Sequence, residues 1–223
     1  MENEDDASAV ALFFQKFELF TPRLIGSGQF ARVYITTHGR NDDQYAVKLI
    51  SKGHVHKMFQ KSRSELHSGS EVFFHRQMQH PYIIPCLRVL EDLNFYAIIQ
   101  PYCLLGDVKA YVLQFGAASI PMAENFNFQL LQAMLYIHSK DVSHRDVKLE
   151  NILLDQLNND VLKIQLIDFG FAKHSALYFG CSTCVGTPDY MAPEILMQIH
   201  VPCLLYTSDA ADDSLRVDLG GRR

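Results

Sequence analysis

One short loop carries most of the chemistry in this sequence: Val142-Ser-His-Arg-Asp-Val-Lys-Leu-Glu-Asn-Ile-Leu-Leu154. Asp146 offers a carboxylate that can accept a proton, and Lys148 offers an ammonium that can meet a phosphate. Asn151 adds an amide oxygen of the kind that hard cations bind. Phosphoryl transfer needs these three roles, because its catalysis is mostly positioning and neutralisation of charge. The loop therefore predicts phosphoryl-transfer chemistry.

The order His-Arg-Asp-x-Lys-x-x-Asn before apolar residues resembles the catalytic loop of eukaryotic protein kinases. Asp168-Phe-Gly, at the end of an apolar run, resembles the magnesium site of the same family. The resemblance implies that Asp146 orients the substrate hydroxyl and accepts its proton, while Lys148 neutralises charge on the transferred phosphate. It also implies that Asn151 and Asp168 are the ligands of Mg²⁺.

A glycine-rich stretch, Ile25–Val33, has the pattern G-x-G-x-x-A-x-V, which lets backbone N–H groups approach a phosphate. A dinucleotide-binding turn would open a helix, but the chain continues here as a β-rich run to Thr37. A third strand over Gln44–Ile50 contains Lys48, and this succession resembles the N-lobe of a kinase. The resemblance implies that ATP is bound by Ile25, Gly26, Ser27, Gly28, Val33, Ala46, Lys48, Tyr102, Cys103 and Leu153.

In the kinase pattern a helix glutamate holds the lysine of the third strand. A helix from Glu71, stopped by Pro81, makes Glu71 the expected partner of Lys48, and Glu65 is the alternative. Ile83–Leu90 and Phe95–Gln100 are expected to complete a five-stranded antiparallel sheet.

The segment Gln100–Cys103 follows that sheet and corresponds to the link between the two lobes. The gatekeeper, the residue at the back of the nucleotide pocket, is Ile99 or Gln100. Met122–Ser139 then predicts a long helix with an apolar core stripe: Phe126, Leu130, Leu131, Met134, Leu135 and Ile137.

Two features are typical of serine/threonine kinases: a lysine two residues after Asp146, and Gly186-Thr-Pro-Asp-Tyr-Met-Ala-Pro-Glu194. In that form Thr187 helps to hold Asp146 and Lys148. The segment between Asp168 and Glu194 contains Thr183. Because an arginine precedes Asp146, we expect an upstream kinase to phosphorylate Thr183 and order the segment.

Composition excludes several other classes of protein. A net charge of -5 argues against a nucleic-acid partner that binds by general electrostatics, and no apolar window has the length of a membrane span. The acidic N-terminus has the wrong sign for a signal peptide. Of the five cysteines, only Cys181 and Cys184 are closely spaced, and no second pair completes a zinc site, so we expect reduced thiols and a cytoplasmic protein.

The resemblance to protein kinases implies an α+β, bilobal protein-kinase-like fold, with a five-stranded antiparallel N-lobe and a mainly helical, incomplete C-lobe. We expect an N-terminal tail over residues 1–16. Ala9–Phe17 is expected to form a short helix or a first strand, with Phe13, Phe14 and Phe17 packed on the domain. The kinase domain is expected over 17–202. Residues 203–223 resemble translated sequencing-adapter DNA and are expected to be non-native.

The predicted function is transfer of the γ-phosphate of ATP to Ser or Thr hydroxyls of protein substrates, with Mg²⁺. The chain as given is expected to be impaired if its C-lobe is truncated. The alternative is a nucleotide-binding pseudokinase or scaffold fragment, although Lys48, Asp146, Asn151 and Asp168 are all present.

Overall fold

A computed structural model of the chain describes residues 4–28, 31–38, 43–53, 71–156, 162–174 and 185–196. The chain divides into two compact units. The first unit comprises Met1–Ser68 and Pro85–Tyr102, and the second comprises Gly69–Ile84 and Cys103–Arg223.

The first unit is built on a five-stranded antiparallel sheet, as the sequence predicts. Its strands run in the order β1-β2-β3-β5-β4. One helix precedes them in the chain. The elements are α1 (Glu4–Lys16), β1 (Leu19–Ser27), β2 (Ala31–His38), β3 (Gln44–Ser51), β4 (Arg88–Glu91) and β5 (Phe95–Pro101).

Helix α1 covers one face of this sheet. The Phe13 ring lies 5.8 Å from the Phe95 ring, and the Phe14 ring lies 4.9 Å from the Tyr34 ring. Both phenylalanines are buried and share an apolar cluster with Val47. Of the two alternatives for Ala9–Phe17, the helix is therefore the one observed, and it packs on the sheet as the sequence predicts.

The second unit is mainly helical, which confirms the predicted class. Its core is lined by side chains from α4, β7 and β8 together with Phe169. The two short strand pairs are β6 with β9 and β7 with β8. The elements are α2 (Glu71–Gln77), α3 (Val108–Phe115), α4 (Ile120–Ser139), β6 (Val142–Ser143), β7 (Ile152–Gln156), β8 (Leu162–Leu166), β9 (Lys173–His174) and α5 (Pro193–Leu196).

A buried glutamine fixes β8 to the long helix. Gln129 of α4 accepts a hydrogen bond from the Ile164 amide at 2.8 Å and donates one to the Leu162 carbonyl at 3.2 Å. These contacts pair backbone groups of β8 that lie away from its partner strand β7. The strand that leads to Asp168 is thus held by a side chain on one edge and by β7 on the other.

Two predicted boundaries are wrong. The fourth strand begins at Arg88 and not at Ile83, because Pro85 has no N–H for a sheet ladder. Ile83 and Ile84 belong instead to the second unit, where the Ile84 amide donates to the Leu166 carbonyl at 3.0 Å. Helix α2 ends at Gln77 and not at Pro81. The backbone amide of Gln79 donates a hydrogen bond to the Tyr136 hydroxyl and not to a carbonyl of the helix.

The predicted core stripe of α4 is also wrong in part. Met134 and Ile137 are buried, but Leu131 and Leu135 are 45% and 60% exposed. The helix carries apolar residues on two faces, and only one face packs against the described core. None of the described helices combines the length and the apolar character that crossing a membrane requires.

Candidate active site

Asp146, Lys148 and Thr187 form a closed triangle of contacts in the second unit. The Thr187 hydroxyl donates to Asp146 Oδ1 at 2.8 Å and accepts from Lys148 Nζ at 2.8 Å. Lys148 Nζ lies 2.9 Å from Asp146 Oδ2. The Asp146 residue is only 4% exposed, so its charge depends on these partners for stabilisation. The structure thus brings together three of the predicted catalytic residues.

Asn151 approaches the same carboxylate from a 3₁₀ turn, Leu149–Asn151. Its Nδ2 donates to the Asp146 backbone carbonyl at 2.8 Å and to Asp146 Oδ2 at 3.0 Å. These bonds fix the orientation of the amide, and they direct Oδ1 away from Asp146. An oxygen held in this way is suited to a hard cation such as Mg²⁺.

His144 anchors the backbone of the loop. Its Nδ1 accepts from the Asp146 amide at 3.3 Å, so Nε2 carries the proton and donates to the Ile167 carbonyl at 3.0 Å. The buried imidazole also packs edge-on against Phe169, with 5.1 Å between ring centroids. Through this single side chain, the loop that carries Asp146 is joined to the strand end that carries Asp168.

Asp168-Phe-Gly170 forms a tight turn after β8. Asp168 has a φ of 69°, a conformation that a non-glycine residue adopts at some energetic cost and that clusters at functional sites. Asp168 Oδ1 accepts from the Gly170 amide at 3.1 Å. A Cβ at Gly170 would lie 3.0 Å from that oxygen and 3.8 Å from Glu71 Oε2. The glycine therefore keeps the space beside both carboxylates clear.

Arg145 lies in the loop with one of its buried hydrogen-bond donors unsatisfied among the described residues. Its φ is 67°, and its Nε donates to the Phe171 carbonyl at 2.6 Å. The buried Nη1 has no hydrogen-bond partner among the described residues. Burial lowers the pKa of the guanidinium to about 10. A buried cation with an unsatisfied donor would be stabilised by an anion.

Gly186 permits the approach of Thr187 to the loop. With a φ of 116°, it lies so close to the catalytic loop that an added Cβ would stand 2.6 Å from the Arg145 carbonyl oxygen. No side chain fits there without displacing backbone. The sequence pattern indicates a role for the threonine of this motif but gives no sign that the glycine is required.

Lys109 and Glu150 form an ion pair that the sequence motifs do not indicate. Lys109 Nζ lies 2.5 Å from Glu150 Oε1, which ties α3 to the turn that carries Asn151. The hydrogen bond raises the pKa of Lys109 and lowers that of Glu150. No periodicity links positions 41 residues apart, so sequence spacing gave no signal for this contact.

Three of the predicted nucleotide residues of the first unit lie on one face of its sheet. Val33 is opposite Lys48, Ile35 is opposite Ala46, and Gly26 is opposite Val33. Residues paired directly across antiparallel strands share a face, so Val33, Lys48 and Ala46 point away from α1. The Gly28 amide donates to the Ala31 carbonyl at 2.8 Å and closes the glycine-rich turn, whose tip lies outside the described residues.

The sheet register separates the two gatekeeper candidates. Gln100 is opposite Ala46 and shares its face. Ile99 is opposite Val47 and is buried in the cluster beneath α1. Gln100 is therefore the candidate that lies on the Lys48 face.

The remaining predicted nucleotide residues differ in exposure. Tyr102 is half-buried at the end of the first unit, and Leu153 is half-buried in β7. Cys103 is buried, and burial, with a smaller contribution from Asp155 against an opposing one from Lys163, raises the pKa of its thiol to about 12. Lys48 and Glu71 belong to different units, and Glu65 and Thr183 lie outside the described residues.

Comparison with known proteins agrees with this geometry. The family model "Protein kinase domain" matches residues 20–208. The meiosis-specific serine/threonine-protein kinase mek1 of Schizosaccharomyces pombe is 33% identical over 175 residues, which are 78% of this chain and 38% of the relative.

Two further relatives show the same pattern. The abscisic acid-inducible protein kinase of Triticum aestivum is 34% identical over 171 residues, 77% of this chain and 48% of the relative. Human serine/threonine-protein kinase ULK1 is 34% identical over 191 residues, 83% of this chain and 18% of the relative. The chain thus spans less than half the length of these three relatives. It belongs to the protein kinase domain family, as its resemblance to eukaryotic serine/threonine kinase domains indicates.

Proposed function

We propose that the protein transfers the γ-phosphate of ATP to a serine or threonine hydroxyl of a protein substrate. The observation that carries this proposal is the contact of Asp146 with Thr187, Lys148 and Asn151. Hydrogen bonds from neighbouring groups orient the carboxylate, which can then accept the proton of an incoming hydroxyl. Lys148, next to it, supplies positive charge for the transferred phosphate.

The residues fit Mg²⁺ and ATP as partners of the site. Asn151 Oδ1 and the Asp168 carboxylate are hard oxygen ligands, and Gly170 leaves room beside Asp168. No group of three or more His, Cys, Asp or Glu suited to a metal occurs in the described ranges, so phosphate oxygens would complete the coordination. Mg²⁺, when bound, supplies charge neutralisation for the β- and γ-phosphates. Val33, Ala46 and Lys48 offer the nucleotide an apolar surface and an ammonium.

The test is phosphotransfer from labelled ATP to protein substrates by the parent chain and by Asp146→Asn. We expect the variant to lose at least about a hundredfold in rate, the size of a general-base effect. Asp141→Asn is the matched control: Asp141 is exposed, has a positive φ that asparagine also accepts, and should leave the rate unchanged. Binding of MgATP without Asp146-dependent transfer would instead support the scaffold alternative.

We also propose that phosphorylation of Thr183 by an upstream kinase stabilises the active form. The support is Arg145, whose pKa is lowered by burial and whose buried Nη1 has no hydrogen-bond partner among the described residues. A phosphate provides two negative charges and several acceptors for such a group. Active protein that mass spectrometry finds unphosphorylated at Thr183 would contradict this proposal.

Two further expectations remain proposals. We place the kinase domain at 17–202 and treat 203–223 as non-native. We also place the protein in the cytoplasm, where the thiols of Cys86 and Cys103 would stay reduced. Re-amplifying the transcript and sequencing past codon 202 tests the first proposal, and a frame that encodes Cys203–Arg223 and stops would overturn it. Cell fractionation with an antibody against the domain tests the second.

A further inference from the structure

A cluster of three aromatic side chains joins helix α2 to the strand that follows Asp168-Phe-Gly170. The His174 ring of β9 lies 5.1 Å from the Phe74 ring and 6.2 Å from the Phe73 ring. The two phenylalanine rings are 5.5 Å apart and nearly perpendicular. We call Phe73, Phe74 and His174 the α2–β9 cluster.

The geometry of a helix explains why the third ring is needed. Consecutive helical residues point about 100° apart, so Phe73 and Phe74 leave α2 in different directions. Phe74 enters the core of the second unit and is fully buried, whereas Phe73 lies at the boundary with solvent. His174 contacts both rings from the boundary side and therefore restrains the rotation of α2 about its axis.

His174 is itself held by the strand that delivers the catalytic loop. In the β6–β9 pair, Val142 is opposite His174 and Ser143 is opposite Lys173. Ser143 is followed directly by His144-Arg145-Asp146. A displacement of β9 would thus be transmitted through His174 to α2, which carries Glu71 two residues before Phe73.

We propose that His174 is a positioning residue for Glu71. Its ring fixes the orientation of α2 relative to the catalytic loop through the α2–β9 cluster. This inference rests on the proposed function, for which the sequence resemblance predicts Glu71 as the partner of Lys48. An aromatic pair stabilises a packed state by roughly two- to tenfold in the equilibrium constant, so loss of both contacts should be measurable.

The direct test is hydrogen exchange of the α2 amides, measured by mass spectrometry without nucleotide. We expect His174→Ala to speed exchange in α2 by about three- to thirtyfold, and His174→Phe, which keeps a ring, to stay near the parent. His138→Ala, which removes an imidazole from the last turn of α4, is the matched control and should leave α2 unchanged. Equal exchange in the parent and in His174→Ala would overturn the proposal.

A second variant distinguishes a local effect on α2 from global unfolding. Phe73→Leu keeps an apolar side chain but removes the half-exposed ring, and it should speed α2 exchange while α4 stays protected. If exchange rises equally in α2 and α4, the cluster has no specific role and the proposal fails.

Kinetics then distinguishes positioning from simple stability. His174→Ala should lower kcat and raise KM for ATP, with both restored by His174→Phe. Failure of the parent chain to transfer phosphate would contradict the proposed function but would leave the exchange result to decide the role of His174.

Discussion

At the scale of single residues, Gly186 lies so close to the catalytic loop that an added side chain has no room. Gly186→Ala places a Cβ 2.6 Å from the Arg145 carbonyl and adds strain at a φ of 116°. We expect a loss of about 1–3 kcal/mol in the free energy of unfolding and at least a tenfold fall in kcat, because Thr187 moves with the glycine. Urea denaturation and steady-state phosphotransfer measure the two effects.

Gly116 supplies the control for Gly186. Its φ is 83°, but an added Cβ meets nothing within 4 Å. Gly116→Ala should therefore cost about 1–2 kcal/mol from backbone strain and leave kcat unchanged. Equal losses of kcat in both variants would show that strain, and not the contact with the catalytic loop, is responsible.

A second prediction at this scale concerns the reactivity of the Cys103 thiol. Its thiol pKa of about 12, raised by burial, leaves roughly a thousandfold less thiolate at pH 8 than the ordinary value of 9.0. Alkylation of Cys103 in the folded protein should rise about tenfold per pH unit beyond pH 9, whereas the unfolded chain should reach a plateau there. Peptide mapping after pulse labelling reports both rates, and a plateau near pH 9 in the folded protein would refute the prediction.

The identities of the site residues could be predicted from the sequence, but the residues that hold them in position could not. Asp146, Lys148 and Thr187 stand in motifs whose spacing reflects a shared chemical task, and the structure brings them together. The roles of Gly186 and His144 depend on contacts with backbone groups of other segments. Such contacts leave no periodic pattern in the chain.

At the scale of elements, α1 contributes more to the stability of the first unit than its sequence pattern indicates. Phe13 is fully buried and contacts the rings of Phe14, Phe17 and Phe95. Phe13→Ala should lower the free energy of unfolding by about 3–5 kcal/mol, the usual cost of removing a buried aromatic side chain. Leu12→Ala is the matched control: Leu12 is 64% exposed, and its truncation should cost little.

Urea denaturation, followed by a probe in the first unit, compares these two variants. Similar midpoints for Phe13→Ala and the parent would mean that α1 does not pack on the sheet in solution.

Strand pairing decided what the sequence left open at this scale. Ile99 and Gln100 are both compatible with the family pattern, and alternation along β5 assigns them to opposite faces once the register with β3 is known. The predicted start of the fourth strand was wrong because an apolar run continues through Pro85. The run belongs to two different units, and composition does not mark the change.

At the scale of the whole molecule, the outer face of α4 is an apolar surface open to solvent. Phe128, Leu131 and Leu135 recur at helical spacing and are each 45–60% exposed. Such a patch favours self-association. We expect the 223-residue chain to scatter light increasingly with concentration, and Leu131→Gln with Leu135→Gln to reduce that scattering.

The buried face of the same helix provides the control. Met134→Gln places an amide in the core and should destabilise the fold without reducing association. A chain that stays monomeric at high concentration would contradict the account of this surface. The sequence predicted a single core stripe on α4, because periodicity shows that a helix is amphipathic but not which of two apolar faces is covered.

We propose that the Thr187 hydroxyl, Asp146 and Lys148 act together in phosphotransfer. The most direct measurement compares kcat and KM for ATP in the parent, Thr187→Val and Thr187→Ser. Valine keeps the shape but removes a hydroxyl that bonds to two charged groups, so we expect kcat to fall by about ten- to a hundredfold. Serine should restore most of the loss, with KM nearly constant throughout. A valine variant with the parental kcat would contradict the claim.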